Sequence, residues 1–251
     1  MVPLQLAGWL LLPFVVAAQQ IKDLNITDLV LCDGKGGGGK AAPTIIWSPS
    51  IVVSKQNTTL AVAQAQWKQG RNIVKAEGII SRSLDAGVSF SPDHIALPGG
   101  AQLLASRLTN TIHAFGVAVP NASAAALSRA ISTDDGQTWG TPTVLKDPFI
   151  RGEGGLNHGI ELQHGPHRGR FLLPYAQAST GRDKYAGHAL TVFSDDNGAN
   201  WTAGALLPDY SGEASIAELA NGSVLISFRS EGEHMPRHPH NRGFARSVGI
   251  S

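Results

Sequence analysis

The sequence predicts an all-β fold, a β-propeller built from repeated four-stranded sheets. Short apolar runs rich in Val, Ile, Thr and Ala are separated by turns about every eight to twelve residues, and no stretch sustains the period of an amphipathic helix. A Ser-x-Asp-x-Gly turn recurs three times, at intervals of roughly 50 to 60 residues, which is the size of one propeller blade. A sandwich or a barrel would explain the strands but not this spacing.

Several apolar runs have the length and composition of strands. Asn221-Gly222 lies between two of them and is the strongest short hairpin signal in the chain, because this dipeptide favours tight turns. The runs are Thr59–Ala65, Phe171–Gln177, His188–Ser194, Ser215–Ala220 and Ser223–Arg229.

The three repeated turns share Ser, Asp and Gly at alternate positions, followed by an aromatic residue. The Asp carboxylate can accept backbone N–H groups and close the turn, with Ser assisting. Gly supplies the positive φ, and the aromatic ring is expected to pack under the turn. The copies are Ser83–Phe90, Ser132–Trp139 and Ser194–Trp201.

The last residues resemble a strand that leads into a fourth copy. Phe244–Ser251 has this pattern, and Ser251 stands where the next turn would begin. We therefore expect about four blades and an incomplete ring. Open blade faces would then favour self-association, because closed propellers protect their sheet edges.

Composition and charge narrow the function classes. The 251 residues are 42% hydrophobic and 16% charged, which is typical of a globular protein. The net charge of +1 gives no reason to expect nucleic acid or a membrane surface as a partner. No later run has the length of a membrane span.

The N-terminal part divides into two segments before the propeller of residues 44–251. Residues 1–18 read as a signal peptide and residues 19–43 as a polar, glycine-rich lead-in without a phosphate-loop motif. A secreted or lysosomal location follows as an expectation. The single Cys32 cannot form an internal disulfide. Five Asn-x-Ser/Thr sequons agree with this location: Asn25, Asn57, Asn121, Asn200 and Asn221.

Two further stretches narrow the family. They run from Gly155 to Pro174 and from Gly212 to Gly222. Together with the repeated turns, they resemble the sialidase (neuraminidase) family, whose Asp-box or BNR repeats belong to a six-bladed propeller. The resemblance covers about residues 44–251 and is strongest over 128–229. It implies sialylated glycans (glycoproteins, gangliosides, oligosaccharides) as partners and no metal or other cofactor.

The resemblance also implies roles for two residues. Sialic acid carries a carboxylate on its anomeric carbon, so sialidases use a tyrosine nucleophile in place of a carboxylate. By motif position, Glu213 would be the carboxylate that activates this tyrosine. Arg229 would be one of three arginines that bind the substrate carboxylate.

The chain departs from the family pattern at other positions. Trp47 stands where the first arginine is expected, and Asn72 stands where the acid/base aspartate is expected. The third arginine and the tyrosine nucleophile would follow Ser251. The three tyrosines within the chain precede the expected place and are interpreted as packing residues: Tyr175, Tyr185 and Tyr210.

The remaining candidates have structural interpretations that we favour. The histidine-rich loop 234–240 lacks an obvious ligand set, and Glu218 is expected to be a hairpin carboxylate. The pairs Asp134-Asp135 and Asp195-Asp196 are expected to form turns on the propeller rim. Loop histidines near a cleft could bind a ligand: His158, His164 and His167.

Three functions remain open at this level. The first is an exo-α-sialidase that removes terminal sialic acids with retention, with this chain as an incomplete part. The second is a sialidase-like propeller that binds glycans without hydrolysis, which Trp47 and Asn72 favour. The third is another Asp-box propeller that acts as a scaffold or on other polysaccharides, which the Glu213 and Arg229 pairing disfavours.

Overall fold

A computed structural model of the chain describes residues 43–91, 95–99, 102–116, 127–145, 158–176, 189–206, 211–230 and 244–250. Every regular element within these ranges is a β-strand, so the all-β prediction is confirmed. The predicted signal peptide lies outside the described residues, as does the predicted lead-in except for Pro43. In the part of the chain that is described, no helical segment could cross a bilayer.

The strands form four antiparallel sheets that follow one another along the chain, each a simple up-and-down meander. Sheet 1 holds β1 (Ile45–Val53), β2 (Thr59–Gln69), β3 (Asn72–Ser83) and β4 (Ile95–Pro98). Sheet 2 holds β5 (Gln102–Ser106), β6 (Thr111–Phe115), β7 (Ser128–Ser132) and β8 (Thr143–Val144). Sheet 3 holds β9 (Ile160–Glu161), β10 (Phe171–Ala176), β11 (Ala189–Ser194) and β12 (Thr202–Leu206). Sheet 4 holds β13 (Ser211–Glu218), β14 (Val224–Ser230) and β15 (Phe244–Ile250).

The three repeated turns, called Asp-boxes below, occupy the same place in successive sheets. Each box follows the third strand and precedes the fourth, starting from Ser83, Ser132 or Ser194 at the end of β3, β7 or β11. Since the same turn recurs at the same corner of three consecutive meanders, the sheets are equivalent units. The repeat spacing therefore predicted the blade correctly.

Apolar side chains fill the space between successive sheets. The first strands lie next to one another, because β5 contacts both β1 and β9, and β9 contacts β13. Three clusters of buried residues join sheet 1 to sheet 2, sheet 2 to sheet 3, and sheet 3 to sheet 4. Their most buried members include Leu60, Ile80, Leu103, Leu104, Phe115, Phe171, Leu173, Ile216 and Ile226. This face-to-face stacking of small sheets is propeller packing.

Each Asp-box is closed by one serine and one aspartate. In the second box, Ser132 Oγ donates to Asp134 Oδ1 at 2.8 Å and accepts the Gly136 N–H at 2.8 Å. Asp134 Oδ1 also accepts the Thr138 N–H at 2.9 Å. The first and third boxes repeat these bonds with distances between 2.7 and 2.9 Å. Serine is therefore as central to the turn as the aspartate.

The residue before the box glycine also adopts the left-handed conformation. Its φ is 58° at Ala86, 63° at Asp135 and 58° at Asn197. Asn and Asp tolerate this region because their side chains bond locally, whereas Ala meets the full steric cost of its Cβ. The first box therefore contains strain that the other two avoid.

Replacing Ala86 by asparagine is expected to raise the free energy of unfolding by about 0.5–1 kcal/mol, because Asn197 fits the same backbone in the third box. Chemical denaturation of the parent chain and the variant measures the change in the free energy of unfolding. Asn197→Ala is the reverse substitution and should lower stability by a similar amount. Destabilisation by Ala86→Asn would contradict the strain argument.

The predicted hairpin joins β13 to β14, but its turn is longer than the Asn-Gly signal suggests. Leu219 C=O accepts the Gly222 N–H at 2.8 Å, and Ser223 C=O accepts the Leu219 N–H at 2.8 Å. Only Gly222 has a positive φ, of 83°, so Asn221 does not adopt the left-handed conformation that a two-residue turn would require. The hairpin was predicted correctly, and its loop is longer than two residues.

Candidate functional site

The sheets present two chemically different ends. One end carries the three Asp-boxes and the turns after the first strands, at residues 54–58, 107–110, 162–170 and 219–223. We call this the box end. Contacts between these turns and boxes of neighbouring sheets, described below, show that the sheets point the same way. The opposite end carries the starts of the first strands and the ends of the second strands.

Glu213 and Arg229 occupy neighbouring backbone positions at the opposite end. Glu213 lies near the start of β13, and Arg229 lies near the end of β14. They adjoin the paired residues Ala214 and Phe228 on these two strands. A register irregularity between residues 211 and 214 falls at this point of the ladder. Bulges of this kind re-aim side chains and are common next to active sites.

Trp47 and Asn72 belong to the same end in sheet 1. Trp47 is near the start of β1 and pairs with Gln64, next to a register irregularity that extends to Ser50. Asn72 opens β3 directly after the Gly70–Arg71 turn and is exposed. The four positions that the family resemblance singles out therefore belong to one end of the fold. Asn72 has an amide, which cannot donate a proton as a carboxylic acid does.

Tyr175 is a core residue, as predicted from the sequence. It lies near the end of β10, its side chain is 1% exposed, and it belongs to the cluster between sheets 2 and 3. Burial raises the pKa of Tyr175 to about 12. A tyrosine nucleophile needs the opposite shift, so Tyr175 does not fit that role. Tyr185 and Tyr210 lie outside the described residues.

The box aspartates have the electrostatics of structural turns. Hydrogen bonds from Ser83 and then Ser89 lower the pKa of Asp85 to about 2. Hydrogen bonds from Thr138, with a further one from Ser132, lower the pKa of Asp134 to about 2. A general acid near neutral pH needs a raised pKa, so these carboxylates are unsuited to proton donation. The interpretation of Asp134 and Asp85 as turn-formers agrees with this.

Asp135 is more than the rim turn residue that the sequence predicted. Its side chain is 7% exposed and accepts a short hydrogen bond from Thr58 Oγ1 in the β1–β2 turn. Arg82 on β3 donates to the Asp135 backbone oxygen at 3.0 Å and approaches its carboxylate at 3.4 Å. The second box is thus fastened to sheet 1. Asp135 is a turn residue of the box, as expected, but spacing alone does not show which residues also reach a neighbouring sheet.

Glu218 likewise bonds to another sheet and is not only a hairpin carboxylate. Its two carboxylate oxygens accept the N–H groups of Gln163 at 2.6 Å and His164 at 2.9 Å. Glu161 at the end of β9 makes the equivalent contact to sheet 2, where it accepts the Arg107 N–H at 2.8 Å. We call Glu161 and Glu218 the clamp glutamates. Each lies at the end of a first strand and holds the first turn of the preceding sheet.

Arg129 extends this pattern to the third box. This arginine on β7 donates a short hydrogen bond to the backbone oxygen of Gly198, so sheet 2 holds the box of sheet 3. Trp201 packs against the same box. Its Nε1–H donates to the Gly198 oxygen at 2.9 Å, and its ring meets Phe115 edge-on at 5.4 Å between centroids. In the third box, the aromatic residue therefore packs as predicted.

The histidine candidates do not form a site. His164 and His167 lie exposed on the loop after β9 at the box end, whereas half-buried His158 precedes β9. Burial lowers the pKa of His158. No group of three potential ligands that could hold a metal ion occurs among the described residues. The loop 234–240 lies outside them.

An open depression of about 400 Å³ lies at the box end, beside the loop after β9. Two arginines line it, and one of them already has a carboxylate partner, because Arg170 Nε and Nη2 bond to Asp195 at 2.7 and 2.8 Å. The Arg170 hydrogen bond lowers the pKa of Asp195. This bidentate pair occupies the Arg170 fork, whereas the second arginine, Arg168, is exposed. The depression lies at the box end and does not include Glu213 or Arg229, so it is not the side that the family resemblance indicates.

Stacked four-stranded meanders with a box at each outer corner define a β-propeller repeat protein. The sequence matches the family model of BNR repeat-like domains over residues 50–242, and the chain belongs to that family. The identification of the repeated turns as BNR repeats is thereby confirmed.

Curated relatives and solved structures agree with this assignment. The chain is 35% identical over 105 residues to a sialidase of Micromonospora viridifaciens, across 40% of this chain and 16% of the relative. It is 30% identical over 124 residues to sialidase-4 of Mus musculus, across 43% of this chain and 25% of the relative. The chain thus spans a quarter or less of these two relatives.

The fold likeness extends further along the chain. The Hadza microbial sialidase Hz136 superposes with a TM-score of 0.60 and 20% identity, covering 75% of this chain and 43% of that one. The intramolecular trans-sialidase from Ruminococcus gnavus gives a TM-score of 0.60 and 13% identity, covering 83% and 68%. At these identities the likeness concerns the fold, which is that of a sialidase-type propeller in part.

Proposed function

We propose that the protein acts on terminal sialic acids of glycoconjugates as an exo-α-sialidase, with the opposite end of the propeller as the substrate side. The observation that carries the proposal is the adjacency of Glu213 and Arg229 on β13 and β14, within a chain that matches the BNR repeat-like family. Glycoproteins, gangliosides and sialylated oligosaccharides are the proposed partners.

The chemistry assigns each of these two residues a separate task. The Arg229 guanidinium would bind the sialic acid carboxylate, since a planar fork of N–H donors matches a carboxylate. Glu213 would accept the proton of a tyrosine nucleophile, which then attacks the anomeric carbon in place of a repelled carboxylate. The family resemblance puts that tyrosine after Ser251, and buried Tyr175 does not substitute for it.

A second function is binding without hydrolysis, and two specific residues favour it. Trp47 and Asn72 stand where the family pattern has an arginine and the acid/base aspartate. An indole has one N–H donor and no charge, so it cannot form the bidentate ion pair of an arginine, and an amide cannot protonate a leaving group. Such a protein would keep the carboxylate contact of Arg229 but not the chemical step.

Binding is tested with an unsaturated glycal analogue of sialic acid and the 251-residue chain. Arg229→Ala is expected to weaken binding at least about tenfold, because a charge-assisted hydrogen bond contributes about 1.5–3 kcal/mol. Glu213→Gln should change the affinity by less than about threefold, since its task is proton transfer. Isothermal titration calorimetry measures both.

Arg168→Ala is the matched control for that experiment, because Arg168 is exposed at the box end. Its affinity should equal that of the parent chain. Equal losses in the Arg168 and Arg229 variants would show nonspecific charge attraction and reject the proposed site.

The chain itself is expected to give no turnover of a fluorogenic sialoside, and rapid turnover would overturn the assignment of the nucleophile.

We also propose that the protein enters the secretory pathway and is secreted or lysosomal. The support is the apolar leader of residues 1–18, together with sequons that lie at exposed turns. Sialylated glycoconjugates are found in the same compartments. Expression of the full chain in cultured animal cells, followed by fractionation, tests this location.

A further inference from the structure

Three of the five sequons belong to described residues, and all three lie at the box end. Asn57 is in the β1–β2 turn, Asn200 is in the third Asp-box, and Asn221 is in the β13–β14 turn. Each of the three asparagines is exposed. Glu213 and Arg229 belong to the opposite end of the same sheets. These three sequons therefore lie on the side away from the candidate site.

The three asparagines differ in whether the amide nitrogen is available. Asn200 Nδ2 donates to Asp196 Oδ2 at 2.7 Å, so this nitrogen serves the box. Asn221 uses its side-chain oxygen, which accepts the Ser223 N–H at 3.0 Å and leaves the nitrogen for a sugar. Asn57 has a φ of 64° at the tip of its turn, where its side chain is exposed.

We propose that Asn57 and Asn221 carry N-linked glycans, which cover the box end, away from Glu213 and Arg229. Each occupies a turn after a first strand, so a glycan attached there extends into solvent and displaces no strand or core residue. The modification rests on the secretory location proposed above and is independent of sialoside binding. The glycan class is the asparagine-linked oligosaccharide that a sequon accepts.

The test expresses the full chain in cultured animal cells and maps its peptides by mass spectrometry. Enzymatic release of N-glycans in isotopically labelled water converts each occupied asparagine to labelled aspartate. We expect the label at Asn57 and Asn221. Release should proceed from the folded protein without denaturant, because both turns are exposed.

Matched substitutions give an independent readout. Asn57→Asp and Asn221→Asp should each remove the mass of one glycan, and aspartate keeps both turns intact because it tolerates positive φ and provides the oxygen that Ser223 needs. Asn110→Asp is the control. Asn110 has a φ of 56° in the equivalent turn of sheet 2, but Ile112 in place of Ser or Thr means that it has no sequon.

The outcomes separate clearly. Unmodified Asn57 and Asn221 peptides, whether the protein is exported or retained in cells, overturn the proposal. Glycans that are released only after denaturation overturn the exposed placement. The affinity for the glycal analogue is measured separately, so a failure of sialoside binding leaves the glycan result intact.

Discussion

Replacing Glu161 by alanine is expected to lower the free energy of unfolding by about 3 kcal/mol or more. Glu161 is 5% exposed and accepts hydrogen bonds from Ser106 Oγ at 2.5 Å, the Arg107 N–H at 2.8 Å and the Leu108 N–H at 3.3 Å. Alanine would leave the buried Ser106 hydroxyl and the part-buried N–H groups of Arg107 and Leu108 without this acceptor. Because all three donors belong to sheet 2 and Glu161 belongs to sheet 3, the substitution would weaken the contact between these two sheets.

A glutamine at position 161 separates the effect of the hydrogen-bond geometry from the effect of the carboxylate charge. Its oxygen can accept the two backbone N–H groups while its amide nitrogen donates to Ser106 Oγ. Glu161→Gln should therefore cost only about 1 kcal/mol, the difference between a charged and a neutral hydrogen bond. Urea unfolding measures stability, and hydrogen exchange at Arg107 and Leu108 reports on the clamp itself.

Glu77→Ala is a suitable control for the clamp. Glu77 pairs with Lys75 at 2.8 Å within one strand, and both are partly exposed. Such ion pairs contribute about 0–1 kcal/mol. If Glu161→Ala cost no more than Glu77→Ala, the clamp glutamates would not hold the sheets together.

The sequence predicted the architecture because the Asp-box is a local structure. Its Ser, Asp and Gly bond to one another within eight residues, so the pattern appears directly in the sequence, and its spacing gives the blade size. The hairpin at Gly222 was predictable for the same reason. Its turn type was not, because the β13–β14 register decides the loop length.

Contacts between sheets were not predictable from local pattern. Asp134 and Asp135 are adjacent in sequence, but the former closes its own turn and the latter bonds to Thr58 and Arg82 of another sheet. Glu218 of sheet 4 likewise bonds to Gln163 of sheet 3. The recurring Glu-Leu at 161–162 and 218–219 is the signal that a repeat comparison could have used. For Glu213 and Arg229, only the family resemblance supplied a role.

Between about pH 6.5 and pH 4, the protein is expected to lose stability that a His113→Leu variant retains. His113 lies on β6 with 2% exposure, between Phe115 and Phe171. Burial, and secondarily the charge of Arg129 on neighbouring β7, lowers the pKa of His113 to about 4. Its Nε2 bonds to Thr111 Oγ1 at 2.9 Å, and its Nδ1 has no partner among the described residues.

The sign follows from the proton balance. The unfolded chain binds a proton at His113 below about pH 6.5, whereas the folded protein does so only below about pH 4. Acid therefore favours unfolding across this interval, by about 1.4 kcal/mol per pH unit and about 3 kcal/mol in total. Asp85 and Asp134 titrate below this window in the folded state, since their pKa values are about 2.

The measurement compares urea unfolding at pH 7 and pH 4.5 for the parent chain, His113→Leu and the surface control His164→Leu. Other groups that titrate contribute equally to all three proteins, so the difference between them isolates His113. The parent and the His164 variant should lose about 2–3 kcal/mol more than the His113 variant does. An equal loss of stability in all three proteins would mean that the His113 ring is solvated. The packing of Phe115 and Phe171 around it, between sheets 2 and 3, would then be looser than the structure shows.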